Sequence, residues 1–386
     1  MNTLNCLEKL GVKIRFLKNV CEINGLGLNG YKYNKFISLD AGNSGTLGRL
    51  ILGLLVHAKT RIKLKGDKSL SKRDFLRVTR PLEKFGAEFV TNQGKLPIKI
   101  KGTSCSKPIR YHEIKGSAQC KSAVMFGALN TEGSTFIKAK KSRDHSELMF
   151  KYLKLPIKIV KNKKYDLIEL KGGKKIKPFN YKIPSDISSA AFFIVLTALI
   201  KNSELKIKDV NVNPSRIGII KILKKMNVDI KLKNMKDYKK EKIADILIKS
   251  SKYIKPINCP PELNSSAIDE FLLIFLIAAK ANGISYFKNL SELNKKESPR
   301  LLWASKILKK MGVKTILTND SIKIFGNPKL EINKKIEIKN FLKDHRIFMC
   351  CTIAALSFGG NWIIHDKDSI NTSFPSFLKI ISSIKK

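Results

Sequence analysis

Acidic residues are scarce in this sequence. Thirty-one Asp plus Glu face 75 Lys plus Arg in 386 residues, a formal net charge of +44. Such a chain attracts polyanions, so phosphates in some form are expected partners. The basic residues are spread along the chain and not gathered in one arm. A general bias toward lysine on solvated faces therefore accounts for them better than a dedicated nucleic-acid surface. Cysteine is also sparse, with seven residues, an odd number, and no CxxC spacing. That excludes a disulfide framework, and the positions in apolar stretches predict buried thiols of a reducing compartment. The longest apolar run, around Ala190 to Ile200, falls short of the roughly 20 residues that span a bilayer. The first twenty residues contain no apolar core of a secretory signal. A soluble, cytoplasmic protein without a membrane partner is expected. GxxxxGK[ST], HExxH and GxSxG are all absent, and the five histidines have no metal-ligand spacing. No metal, no cofactor and no nucleotide-binding loop are predicted.

What is present is a large apolar fraction, 43%, in a chain long enough for two or three domains. That excludes general disorder and a collagen-like chain. A helix end followed at once by a strand start recurs at Leu10-Gly11-Val12, Phe85-Gly86-Ala87, Leu155-Pro156-Ile157, Met226-Asn227-Val228 and Met311-Gly312-Val313. The interval is about 70 to 85 residues. Small or polar helix starts recur in the same register before nearly apolar runs: Gly42 to Thr46, Gly116 to Gln119, Ser185 to Ser189, Ser265-Ser266, and Asp344 to Arg346. Each unit therefore holds one buried helix and one amphipathic, lysine-bearing helix, with short strands such as Ile98 to Ile100 and Leu205 to Ile207 between them. The starts and ends do not pair off, and the chain is expected to hold six units, the first lacking its opening half.

Helix N-termini attract anions through their free amides. Arginine, scarcer than lysine here, recurs beside these starts at Arg49, Arg73, Arg143, Arg300 and Arg346, and its fork suits carboxylate or phosphate. Two carboxylates join them. Asp269 opens an apolar helix, where N-capping is the plain expectation. Glu297 lies in Lys296-Glu297-Ser298-Pro299-Arg300, where a surface ion pair is the common outcome and proton transfer the chemical one.

Taken together these stretches resemble the 5-enolpyruvylshikimate-3-phosphate synthase family. The resemblance rests on Leu39 to Thr46 with Arg49, Gly66 to Leu70 with Arg73, Ser117 to Ser122, Ser142 to His145, Asp186 to Phe193 and Asn213 to Arg216. It continues through Ile268-Asp269-Glu270, Lys296-Glu297-Ser298 with Arg300, Asp344-His345-Arg346 and Ser373-Phe374-Pro375, in the family's order across almost the whole chain. It implies an α/β fold of two domains, the enolpyruvyl transferase fold or inverse α/β barrel, built from repeated βαβαββ units with the first incomplete. The upper domain would be 1–182, N-terminally incomplete, and the lower 183–386. It implies enolpyruvyl transfer from phosphoenolpyruvate to the 5-hydroxyl of shikimate 3-phosphate with release of phosphate, a step toward chorismate and the aromatic amino acids, by a monomer. By the same likeness Asp269 and Glu297 carry the proton transfers. Gly45, Arg73, Gln119, Arg300 and Arg346 bind phosphoenolpyruvate. Ser117, Ala118, Gln119, Ser142, Arg143, Asp269 and Lys296 bind shikimate 3-phosphate.

Departures from the family pattern are Asp74 where proline is usual, Pro299 where aspartate is usual, Ser185 where glycine is usual, and Thr372 where some members have lysine. The family's opening GxKSxSxR motif has no counterpart here. Gly66 to Arg73 imitates it, but the following Arg80-Pro81-Leu82 and Phe85-Gly86-Ala87 mark it as the later arginine motif, so Lys68 does not inherit the missing lysine's role. The expectation is therefore a weakly active or inactive enzyme if the chain is taken literally. The alternatives are a transferase acting on a UDP-amino sugar, against which Ser142 to His145 and Lys296-Glu297-Ser298 argue, and a basic nucleic-acid-binding protein.

Overall fold

Two four-stranded sheets share one strand order. In the computed structural model, which describes residues 1–28, 30–33 and 36–384, Ile37–Asp40, Ile62–Lys65, Glu88–Asn92 and Lys95–Lys101 form one sheet, with the fourth strand between the second and third. The first two strands are parallel and the remaining pairings antiparallel. Arg110–Glu113, Ser134–Lys140, Ile157–Lys161 and Tyr165–Lys171 repeat the order. Parallel neighbours need a crossover, supplied by the apolar helices Gly45–Leu54 and Ala118–Ala128. The second and third strands are joined through Leu76–Glu83 and His145–Tyr152. The unit is βαβαββ.

Two further units keep the order with the first strand reduced to a single parallel bridge, Ser185 to Val210 and Asn258 to Tyr286. They run Ile187–Leu199, Glu204–Asn211, Gly218–Lys225, Ile230–Tyr238, Glu241–Lys249, then Phe271–Ala279, Ile284–Phe287, Arg300–Lys310, Thr315–Leu317, Ile322–Phe325. The hairpin of Lys13–Leu17 with Val20–Asn24 holds only the last two strands of the pattern. The parallel pair Lys335–Ile338 and Asn361–Ile364, around helix His345–Phe358, holds the first two. The architecture is the mixed α/β arrangement of repeated βαβαββ units that the resemblance implied.

The chain divides into two compact units, Met1–Tyr181 and Lys182–Lys386, each with its own core. In the first, Gly45–Leu54 crosses Ala118–Ala128 so closely that a Cβ on Gly53 would stand 2.1 Å from the Ala123 carbonyl oxygen, which only glycine tolerates there. In the second, all nine side chains of Phe271–Ala279 are buried. That matches a sequence, FLLIFLIAA, with no polar face to present to water. By contrast Gly218–Lys225 buries Ile219, Ile220, Ile222 and Leu223 and turns Lys221, Lys224 and Lys225 outward. Lys95–Lys101 alternates in the same spirit, with Leu96, Ile98 and Ile100 inward.

Two expectations need correction. Cys21 and Cys105 are exposed, because one lies on the outlying hairpin and the other in a loop; the other five thiols are buried and all seven are free. The helix expected to run on from Ser265-Ser266 is interrupted. A four-residue turn, Asn264–Ala267, is held by the Asn264 amide donating to the Lys288 carbonyl at 2.8 Å, and the apolar helix begins afresh at Phe271. Asp269 and Glu270 occupy the break.

Candidate active site

In the first unit the helix Gly45–Leu54 begins at a tightly specified loop. Ser44 caps it, its hydroxyl accepting from the Leu47 amide at 3.1 Å. Asp67 accepts from the Asn43 side-chain amide at 2.6 Å and from the Leu70 amide at 2.7 Å, which ties this loop to the one carrying Arg73. A Cβ placed on Gly45 would meet Arg73 Nη1 at 3.0 Å and Arg49 Nη1 at 3.3 Å, so two guanidinium groups lie against the helix start. Arg49 donates to Gln119 Oε1, and Gln119 Nε2 donates to Thr46 Oγ1 at 2.8 Å. Burial lowers the Arg49 pKa, as does the neighbouring Arg73 charge. The structure thus brings Gly45, Arg73 and Gln119 together and adds Arg49 and Thr46.

The second helix start in this unit is capped by Ser117, which accepts from the Cys120 amide at 3.3 Å, while Glu113 accepts from the Ser117 amide at 2.9 Å. One turn on, Lys121 is 1% exposed, pairs with Glu147 at 2.5 Å and donates to the Arg143 carbonyl at 3.0 Å. Ser122 and Ser146 share a hydrogen bond of 2.7 Å. These bonds hold the Ser142–Arg143 loop beside the helix that opens with Ala118. Ser142 Oγ is buried without a hydrogen-bond partner among the described residues, a group poised to accept one from or donate one to a ligand.

In the second unit the chemistry gathers around Arg300, which is 2% exposed. Its Nε donates to Asp344 Oδ2 at 2.8 Å and its Nη2 to Asp344 Oδ1 at 3.2 Å. The same Nη2 pairs with Glu297, and Nη1 lies 3.7 Å from Asp269. Burial alone would lower the Arg300 pKa; the facing Asp344 and Glu297 carboxylates more than reverse it and raise it. Lys296 donates to Asp269 Oδ1 at 3.1 Å. Arg346 Nη1 donates to the Asp269 carbonyl at 2.9 Å. Asp344 caps its helix through the Arg346 amide at 3.0 Å and also accepts from Ser298 Oγ at 2.8 Å. Asp269, Lys296, Glu297, Arg300 and Arg346 therefore form one cluster of acids and cations, suited to binding an anion and moving protons beside it.

Two readings of these residues change. Asp269 does not occupy the cap position of Phe271–Ala279: Glu270 stands there, without a side-chain cap bond, and the Asp269 carboxylate faces Lys296 and Arg300. The Glu297–Arg300 pair is not on the surface, because Asp344 draws the guanidinium inward. Sequence reasoning also missed Lys121, Glu147, Ser188 and Glu270 as individual contributors. The available signal was a charged residue set in or directly before an apolar helix, as Lys121 stands in CKSAVMFGA and Glu270 before FLLIFLIAA.

A family model described as EPSP synthase (3-phosphoshikimate 1-carboxyvinyltransferase) matches residues 1–381. A 3-phosphoshikimate 1-carboxyvinyltransferase from Ruthia magnifica is 41% identical over 385 residues, covering 100% of this chain and 86% of the relative. One from Endomicrobium trichonymphae is 38% identical over 384 residues, covering 99% and 88%. The solved EPSP synthase from Acinetobacter baumannii superimposes with a TM-score of 0.87 at 36% identity, over 99% of this chain and 86% of that one. The enolpyruvyl transferase NikO from Streptomyces tendae reaches a TM-score of 0.71 at 12% identity over 98% of this chain and 85% of that one, a likeness of fold alone.

Proposed function

The chain belongs to the EPSP synthase (3-phosphoshikimate 1-carboxyvinyltransferase) family, and from that premise we propose how its own residues divide the work. The family reaction moves the carboxyvinyl group of phosphoenolpyruvate onto shikimate 3-phosphate in aromatic amino acid biosynthesis. In the first unit the Gly45 backbone, Arg73 and Gln119 take phosphoenolpyruvate, and Ser117, Ala118, Gln119, Ser142 and Arg143 take shikimate 3-phosphate. In the second, Arg300 and Arg346 take phosphoenolpyruvate while Lys296 and Asp269 take the sugar phosphate. The large positive charge of the chain steers both anions.

Asp269 accepts the proton of the 5-hydroxyl as its oxygen bonds to C2 of phosphoenolpyruvate, and Glu297 gives a proton to the methylene carbon C3. The resulting tetrahedral intermediate loses phosphate from C2 and a proton from C3, which returns to Glu297 and restores the vinyl group. The observation that carries this reading is the buried Arg300, with Asp269 and Glu297 on one guanidinium and Lys296 and Arg346 beside them. Phosphate release tests it: release should require both substrates. Release from phosphoenolpyruvate with shikimate 3-phosphate omitted, at an undiminished rate, would contradict it. The free thiols support a reducing compartment, hence the cytoplasm.

A further inference from the structure

Glu270 has no place in the reaction as assigned, yet it is nearly as enclosed as Asp344, at 1% exposed. A buried carboxylate costs free energy unless it is paired and hydrogen-bonded. Here its surroundings are built. Ser188 Oγ donates to Glu270 Oε1, and Arg216 Nη2 donates in turn to Ser188 Oγ at 2.6 Å, so a cation, a hydroxyl and a carboxylate are aligned in one direction. Arg216 also pairs with Asp186, the cap of Ile187–Leu199, at 3.3 Å. On the other side Arg346 Nη1 lies 3.8 Å from Glu270 Oε1.

The Arg346 guanidinium is thus gripped by two consecutive residues between the turn Asn264–Ala267 and the helix Phe271–Ala279, by the backbone of Asp269 and by the side chain of Glu270. A long arginine side chain has many rotamers, and an anion contact counts only if the fork stands in place before the ligand arrives. We propose that Glu270 is a positioning residue that sets where the Arg346 guanidinium stands, with Ser188 and Arg216 holding Glu270 itself. The proposal rests on Arg346 being a phosphoenolpyruvate ligand, as assigned above. Burial raises the Glu270 carboxyl above the ordinary carboxylate range and the Arg346 charge offsets only part of that rise.

The test compares E270Q, S188A, R346K and E270Q/R346K in the full chain by steady-state kinetics with each substrate varied. E270Q keeps the shape and the acceptor for Ser188 but removes the charge. It should raise KM for phosphoenolpyruvate about ten- to hundredfold and leave KM for shikimate 3-phosphate near that of the unmodified chain. S188A, which spares Glu270 itself, should move the same constant in the same direction and carries the test if E270Q fails to fold. The double variant should be no worse than R346K, because both changes undo one interaction. Unchanged phosphoenolpyruvate KM in S188A and in folded E270Q, equal rises for both substrates, or fully additive effects in the double variant would overturn the proposal. Unchanged phosphoenolpyruvate KM in R346K would instead overturn the ligand assignment beneath it.

Discussion

Asp344 meets Arg300 edge-on: both carboxylate oxygens accept from the guanidinium, at 2.8 Å and 3.2 Å, and the side chains are 0% and 2% exposed. The same carboxylate caps the helix that begins at His345. One residue thereby fixes a helix start and a buried cation, so removing it leaves the guanidinium without its principal partner. D344A is expected to lose about 3–5 kcal/mol of stability, measured by urea denaturation, together with its affinity for phosphoenolpyruvate. A loss below about 1 kcal/mol, the range of an exposed pair, would contradict the pairing.

Lys121 and Glu147 make the corresponding buried pair of the first unit. K121M strands the Glu147 carboxylate and should destabilise the chain by about 3–5 kcal/mol, while K121M/E147Q recovers part of that loss. Because Lys121 also holds the Arg143 carbonyl, the double variant should still raise KM for shikimate 3-phosphate more than that for phosphoenolpyruvate. Kinetics and urea denaturation on both variants check the two halves of this expectation.

Gly45 faces two guanidinium groups at a distance that leaves no comfortable room for a methyl group. G45A should therefore push Arg73 aside and raise KM for phosphoenolpyruvate about tenfold or more. Stability should hold, since alanine is the better helix former. A melting curve beside the kinetics separates the effects; an unchanged KM would show that Arg73 yields freely.

His345 is pushed down to about 4 by burial and by the adjacent Arg346 charge, from an ordinary value of 6.5. Between pH 6.5 and about 4 the unfolded chain takes up a proton that the folded chain refuses. Stability is therefore complete above that window and declines as pH falls through it, by up to about 3 kcal/mol at 1.36 kcal/mol per unit. H345N has no proton to take and should flatten that part of the stability curve. Equal slopes for the two proteins in urea titrations from pH 7 to pH 4 would count against it.

Legibility in the sequence followed the range of the interactions. Ser44, Ser117, Asp186 and Asp344 cap helices as their local patterns imply, and the repeat of two helices per unit shows in punctuation that recurs about every 70 to 85 residues. What escaped was set by partners far along the chain. Glu270 bonds Ser188 across 82 positions and Asp344 bonds Arg300 across 44. No local spacing encodes either, so Asp269 looked like a cap and the KExxR stretch like a surface pair. The family resemblance supplied the site's residue names, while the break at Asp269–Glu270 emerges only from the folded chain.

The central claim is that Asp269 and Glu297 carry the two proton transfers around Arg300. Its most direct test is the rate of phosphate release from phosphoenolpyruvate with shikimate 3-phosphate in D269N and E297Q, each beside the unmodified chain. Each substitution keeps the shape and removes the proton carrier, and each should slow release by about a hundredfold or more with both substrates still bound. Release at the unmodified rate in either variant would contradict the assignment of that residue.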